Sequence, residues 1–266
     1  HLVAHYRALS AALHSMCDRN LGRVLDFMDA HDMWKDTMLT VNTDHGFLLG
    51  EHGWWAKCRM PFYNEIAHSP LFIWDPRSGR QGVTCDALVQ TIDLPATILE
   101  FFDLDRPANM QGIPLRKTLA DDSPVREAGL FGVFGGHVNV TDGRFVYMRG
   151  VARPDNEPLF EYTLMPTRHG SRRAFIEPDR LAGAQLVKPL SFSKGCPLLR
   201  VPGRHAFINP HEFGTLLFDL RNDPAQERPI RNPEAEKRME ALLIELMKEH
   251  DAPPEQFERL GLADAT

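Results

Sequence analysis

Apolar positions in the first thirty residues recur at three- and four-residue intervals: Tyr6, Leu9, Leu13, Met16, then Leu21, Val24, Leu25 and Met28. That period predicts an amphipathic helix over about His5–His31, kinked near Asn20-Leu21-Gly22, with Gly22 permitting close packing on a sheet. After a loop at Asp32–Asp36 the period changes. Met38-Leu39-Thr40-Val41-Asn42-Thr43 crowds β-branched and apolar side chains together and reads as a strand. Pro70-Leu71-Phe72-Ile73-Trp74 reads as a second, buried strand stopped by Asp75-Pro76. Thr91–Phe102 returns to a helical pattern, with Asp93 as N-cap and Pro95 in the first turn. From Leu130 onward the alternation is strand-like, and Asp142-Gly143 sits between two alternating runs as a hairpin signal. Leu216-Leu217-Phe218-Asp219 is a further strand. Pro233–His250 is a last amphipathic helix, burying Met239, Leu242, Leu243, Leu246 and Met247. Between hairpin and last strand, the stretch from Glu161 to Pro210 is rich in Pro, Arg and His and reads as long and irregular, suited to a pocket rim.

These periods divide the chain into an α/β part over 1–125 and a part over 126–266 with an antiparallel sheet and a terminal helix. The 266 residues, 43% hydrophobic and 25% charged, have the balance of an ordinary globular protein. No apolar run approaches the length of a membrane span. A net charge of −6 gives no reason to expect nucleic acid or an anionic membrane as partner. Cys17, Cys58, Cys85 and Cys196 are scattered, without zinc-ribbon or redox spacing, and read as free thiols, although four could also form two bridges. Compartment stays open, since the chain starts at His1 inside the first predicted helix.

The chemistry gathers where the first strand ends. Asp44-His45-Gly46 follows it directly, and Gly46 is a residue able to take positive φ in a sharp turn that displays two ligands at the strand's carboxyl end. Lys57 follows after an interval that contains Gly50-Glu51-His52-Gly53. An isolated Asp-His-Gly is usually a capped turn, and an isolated lysine a solvated charge. The combination at this spacing is far more specific.

The run Thr43–Lys57, with Phe62-Tyr63-Asn64-Glu65 and the Pro-Leu strand after it, resembles the sulfatase family of the alkaline-phosphatase-like superfamily. The helix Asp93–Phe102, the loop Met110–Leu115 (with Pro114 where Ser is usual) and the segment Leu217–Pro224, followed by Gln226 where Glu is frequent, resemble later parts of the same family. The resemblance implies part of a central mixed sheet flanked by helices, then a smaller antiparallel subdomain. It implies that Asp44 and His45 ligate a divalent cation, with calcium the usual ion and manganese an alternative that an imidazole ligand suits. Lys57 would bind a sulfate oxygen and offset charge in the transition state. His137 and His68 are weaker candidates for contact with a substrate, which would be a sulfated small molecule or carbohydrate.

The family's nucleophile is a formylglycine made within a C/S-x-P-x-R motif, and that motif is absent. Cys58-Arg59-Met60-Pro61, Cys196-Pro197 and Ser123-Pro124-Val125-Arg126 all have the wrong spacing. The nucleophile is therefore expected in a preceding N-terminal half, without which the sheet should be unfinished beside Met38–Thr43 and the polypeptide inactive. Asp121-Asp122 reads as a solvated turn rather than the family's metal-site pair. Two other readings remain open: a phosphonate monoester or phosphodiester hydrolase on the same scaffold, and a non-catalytic structural or carbohydrate-binding piece.

Overall fold

A computed structural model of the chain describes residues 2–165, 176–204 and 209–262. It opens with α1 (Leu2–Ala30), one unbroken helix of 29 residues. The expected kink is absent, and a Cβ placed on Gly22 would meet nothing within 4 Å, so that glycine makes no close approach. β1 (Leu39–Asn42) leads into the hairpin β2 (Leu48–Leu49) and β3 (Trp55–Ala56), the one-turn α2 (Asn64–Ala67) and β4 (Leu71–Trp74). β1 and β4 pair antiparallel, Leu39 opposite Trp74 and Asn42 opposite Leu71. Among the described residues no further strand joins this ribbon, and Phe72 of β4 is exposed.

α3 (Asp93–Phe101) and α4 (Arg116–Asp121) connect the ribbon to the second part. Asp93 is not the N-cap: Ile92 takes that position, and the fully buried Asp93 carboxylate does something else. It accepts hydrogen bonds from Gln90 N and Ile113 N, both at 2.8 Å, and grips both guanidinium nitrogens of Arg126. The pair fixes the start of α3 to the loops on either side. Asp121 and Asp122 sit at the end of α4, accepting backbone N–H groups of Ser123, Asp86 and Ala87 as turn residues.

β5 (Gly129–Gly132), β6 (Val138–Thr141) and β7 (Phe145–Arg149) form an antiparallel meander in which Val140 faces Tyr147. Asp142 closes the hairpin by accepting from the N–H groups of Arg144 and Phe145, the turn chemistry that its sequence predicts. The stretch 161–210 is more ordered than its composition suggests. Within it lie part of β8 (Phe160–Thr163), α5 (Pro178–Ala182), β9 (Gln185–Val187) and β10 (Leu198–Pro202), and the strands pair in the order β8-β10-β9. Arg180 holds them together: it is buried, donates to the Pro202 carbonyl and pairs with Glu161 and Glu177. Shortness, at three to five residues each, and weak alternation masked these strands. Residues 166–175 and 205–208 of the same stretch lie outside the described residues.

β11 (Leu216–Asp219) adds to β7, giving the sheet order β11-β7-β6-β5. α6 (Pro233–Glu249) packs over it, and α7 (Pro254–Arg259) ends the described chain. α6 starts cleanly because Asn232 accepts from Ala235 N, Pro233 occupies the first turn, and Glu234 and Glu236 meet the positive end of the helix dipole. Its residues Ala235, Met239, Leu243 and Met247 repeat every four positions and are all buried against Val140, Phe145, Tyr147 and Leu217. Full burial of such side chains stabilises by roughly 1.5–3 kcal/mol each.

Candidate metal and anion site

The hairpin β2–β3 explains the spacing between Asp44 and Lys57. Leu48 faces Ala56 and Leu49 faces Trp55, so continuing the register carries Lys57 back towards the loop that follows β1. The turn needs left-handed backbone, supplied by Gly50 (φ 111°), His52 (φ 54°) and Gly53 (φ 74°). Gly50 N donates to the Trp54 carbonyl at 2.9 Å, and Glu51 turns its carboxylate back onto Leu49 N. Ala56 and Cys58, on either side of Lys57, also have positive φ, at 73° and 74°. Such conformations cost energy for residues with a Cβ and gather at functional sites.

The outcome is a three-residue constellation. Lys57 Nζ contacts His45 Nε2. His45 Nε2 is also 3.2 Å from Asp44 Oδ2. His45 Nδ1 lies 2.9 Å from the Gly46 carbonyl, which can only accept, so Nδ1 carries the hydrogen in the neutral ring. Nε2 is then left with its lone pair turned to Asp44 and Lys57. Asp44 is highly exposed, 81% for its side chain. Desolvation, the largest single influence, works upward on its carboxyl, but the His45 backbone N–H, the nearby His45 and Lys57 and its own backbone N–H together outweigh it and hold the group below the usual carboxylate range.

Gly46 acts by close approach rather than by positive φ. Its N–H donates to the Ile66 carbonyl at 2.8 Å, and an added Cβ would lie 1.7 Å from the Glu65 carbonyl oxygen. The Asp44-His45 loop is thereby seated on the backbone of α2. The same short helix receives the hairpin turn: His52 stacks on Tyr63 with ring centroids 3.7 Å apart, and its Nε2 is 3.2 Å from Glu65 Oε2. Behind the turn, Leu48, Met60 and Ile66 form a small buried cluster with Trp54, Phe62 and Tyr63 against it. On the outer side, Arg7 of α1 donates to the Leu49 carbonyl at 2.8 Å.

The two weaker candidates fare differently. His68 is exposed and caps the C-terminal end of α2. His137 is 3% exposed, with its Nε2 on the Gly214 carbonyl at 2.9 Å and its ring beside Phe213. The sequence suggested a side chain reaching a substrate from the mouth of a strand; packing beneath the Phe213-Gly214 loop removes it from the surface. Sequence reasoning assigned no role to His52 or Gln226, although both hold α2. Gln226 was visible only as a substitution within a family pattern, and its partner lies far away in sequence.

The donor set fits part of a cation's shell. A carboxylate oxygen and an unprotonated imidazole nitrogen, the latter in contact with Lys57, lie at one locus, and either calcium or manganese accepts the former while manganese better suits the latter. Among the described residues no group of three or more His, Cys, Asp or Glu side chains forms a metal cage, so these two are a partial set.

Comparisons with known proteins agree with this architecture. Residues 50–134 match the family described as N-sulphoglucosamine sulphohydrolase, C-terminal. The N-acetylglucosamine-6-O-sulfatase of Bacteroides thetaiotaomicron is 33% identical over 105 residues, which cover 40% of this chain and 18% of that protein. The multifunctional alkaline phosphatase superfamily protein PehA of Trinickia caryophylli is 31% identical over 123 residues, covering 46% of this chain and 24% of that one. The matched segments are thus less than a quarter of either relative's length. A solved structure of a protein in complex with its substrate D-glucosamine-2-N,6-O-disulfate superposes with a TM-score of 0.58 and 20% identity, over 88% of this chain and 38% of that one.

Proposed function

From a chain whose sequence and fold are those of the C-terminal part of the sulfatase family, we infer that it supplies metal-binding and anion-binding residues to a sulfuric ester hydrolase. The observation that carries the reading is the convergence of Asp44, His45 and Lys57 at the end of β1. Asp44 Oδ2 and His45 Nε2 would hold a divalent cation, calcium or manganese. Bound there, such an ion would polarise the ester and stabilise developing negative charge.

Lys57 is held beside that locus by the hairpin register. Its ammonium would meet a sulfate oxygen and stabilise charge that grows as the S–O bond breaks. His45 keeps its ligating nitrogen unprotonated because the Gly46 carbonyl holds the hydrogen on the other, and Lys57, which contacts that nitrogen here, would have to yield it to an ion. None of the three is a suitable nucleophile for a sulfate ester. A formylglycine nucleophile supplied from an N-terminal portion of the enzyme completes the proposed mechanism. The substrate class favoured is a sulfated carbohydrate, since a relative is named for a sulfated glucosamine and a protein of similar fold binds one. The match to a multifunctional superfamily member keeps phosphonate monoesters and phosphodiesters as the competing class.

Calorimetric titration, with calcium and with manganese, of an enzyme that includes the N-terminal portion tests the reading. Wild type should bind one ion, and Asp44→Ala should abolish the binding; unchanged affinity in that variant would refute the metal assignment. In an enzyme that includes the N-terminal portion, Lys57→Ala should slow turnover of a sulfate ester by on the order of a hundredfold or more. Parallel assays on matched sulfate and phosphate esters separate the two substrate classes.

A further inference from the structure

We propose that Gln226, in the turn after β11, is a positioning residue for the Asp44–His45–Lys57 constellation and acts through α2. The inference rests on the functional reading above for its purpose, but its geometry stands independently. Gln226 is 1% exposed, and its Oε1 accepts the N–H of Asn64, the first residue of α2, at 2.6 Å. Its Nε2 is buried with no hydrogen-bond partner among the described residues. Leaving a buried amide donor unmade costs on the order of 1–3 kcal/mol, so the side chain is not there for its own satisfaction.

The backbone points the same way. Gln226 has φ 52°, in the left-handed region that glycine adopts freely and a residue with a Cβ adopts at a cost. A glycine would relax that turn. A glutamine there accepts both a strained backbone and an unpaired amide, while the side-chain hydrogen bond it makes among the described residues is the grip on Asn64. An observed outlier of this kind is a ground for a functional hypothesis.

What α2 carries makes the grip consequential. Its Ile66 carbonyl receives the Gly46 N–H and its Glu65 carbonyl abuts Gly46, so the loop holding Asp44 and His45 rests on it. Its Glu65 and the adjoining Tyr63 hold His52, and with it the hairpin turn that returns Lys57. Tyr63 in turn packs edge-on against Phe218 of β11, ring centroids 6.2 Å apart. A displacement of α2 therefore moves the cation donors and the lysine together. Gln226 and Phe218 register that unit on the C-terminal sheet.

The variants Gln226→Gly and Gln226→Glu test this in the 266-residue chain. The first removes the grip while relaxing the backbone; the second keeps an oxygen acceptor for Asn64. The readouts are the melting temperature, the imidazole ¹⁵N and ¹H signals of His45 by NMR, and manganese affinity by calorimetry. Gln226→Gly should remain folded, shift the His45 signals and weaken manganese binding by about tenfold, the loss typical of removing an outer support of a metal ligand. Gln226→Glu should restore both. A Gln226→Gly protein with altered melting but wild-type His45 signals would overturn the proposal and leave Gln226 a purely structural residue. If the 266-residue chain, with its partial donor set, binds no manganese, the His45 signals alone decide the positioning role.

Discussion

α1 and α6 are both amphipathic helices, and they meet opposite fates. α6 buries Ala235, Met239, Leu243 and Met247 against the four-stranded sheet. α1 leaves Tyr6, Leu9, Leu13, Met16, Val24 and Phe27 exposed and buries only Met28. The periodicity of the two is equally clear in sequence. A period fixes which side of a helix wants cover; only a neighbouring element provides it. The same contrast runs through the sheets. The sheet under α6 is covered and contributes to the main core, whereas the β1–β4 ribbon shows Phe72 to solvent. The candidate site lies on the less covered side and is anchored to the more covered one.

The sharpest way to break this contrast is at the joint between the two regions. Asp93→Asn keeps the shape of the buried side chain but leaves the Arg126 guanidinium, held on both nitrogens in the wild type, without its counter-charge. Removing one partner of such a pair should cost about 3–5 kcal/mol, read as a lowered denaturation midpoint. Leu243→Ala, within the covered layer, should cost about 2–5 kcal/mol through lost burial and the cavity left behind. A value near zero for Leu243→Ala would mean that the C-terminal layer is not the stability core, and one for Asp93→Asn that the ion pair does not fasten the joint.

A pH series sharpens the comparison further. Burial pushes the His137 imidazole down to about 4; the Gly214 carbonyl pulls the other way, and Arg259 adds to the depression. The unfolded chain, with an ordinary histidine near 6.5, takes up its proton first as pH falls. His137 therefore contributes stability at and above pH 6.5 that is lost progressively between about 6.5 and 4. The loss is up to about 3 kcal/mol. His137→Gln should flatten that slope in denaturation measured at pH 4.5 and 7. The smallest expected effect is on the uncovered helix: Leu13→Ser should change stability by no more than about 0.5 kcal/mol. Sedimentation should, in addition, show less self-association for this variant than for wild type, since it breaks the exposed apolar side of α1.

Much of the fold was legible because its signals are local. Asp142-Gly143 announces its hairpin, and the apolar spacing of Met239, Leu242, Leu243, Leu246 and Met247 announces α6. That Asp44, His45 and Lys57 meet was legible for a related reason: they lie within one short span, and the hairpin register between them needs only the nearby glycines. What escaped was non-local. Asp93 looks like a capping residue until Arg126 and Ile113 are brought to it. Gly46 looks like a turn residue until Glu65 presses against it. His137 follows two glycines at the start of a strand, as a pocket residue would, and only the Phe213-Gly214 loop, far along the chain, buries it. The short strands β8, β9 and β10 hide among Pro and Arg because they form a small sheet whose alternation is weak.

The grip of Gln226 on Asn64 also has a meaning in time. The two residues are 162 positions apart. The β2–β3 hairpin can close within microseconds of its synthesis, because its partners are neighbours. The loop and hairpin that carry Asp44, His45 and Lys57 must then wait for their support. At a synthesis rate of roughly 5–20 residues per second, Gln226 emerges on the order of ten to thirty seconds after Asn64. Throughout that interval the nascent chain holds the metal and anion residues without the element that registers them, and the exposed apolar side of α1 is already made. The site is synthesised well before the residue that finishes it.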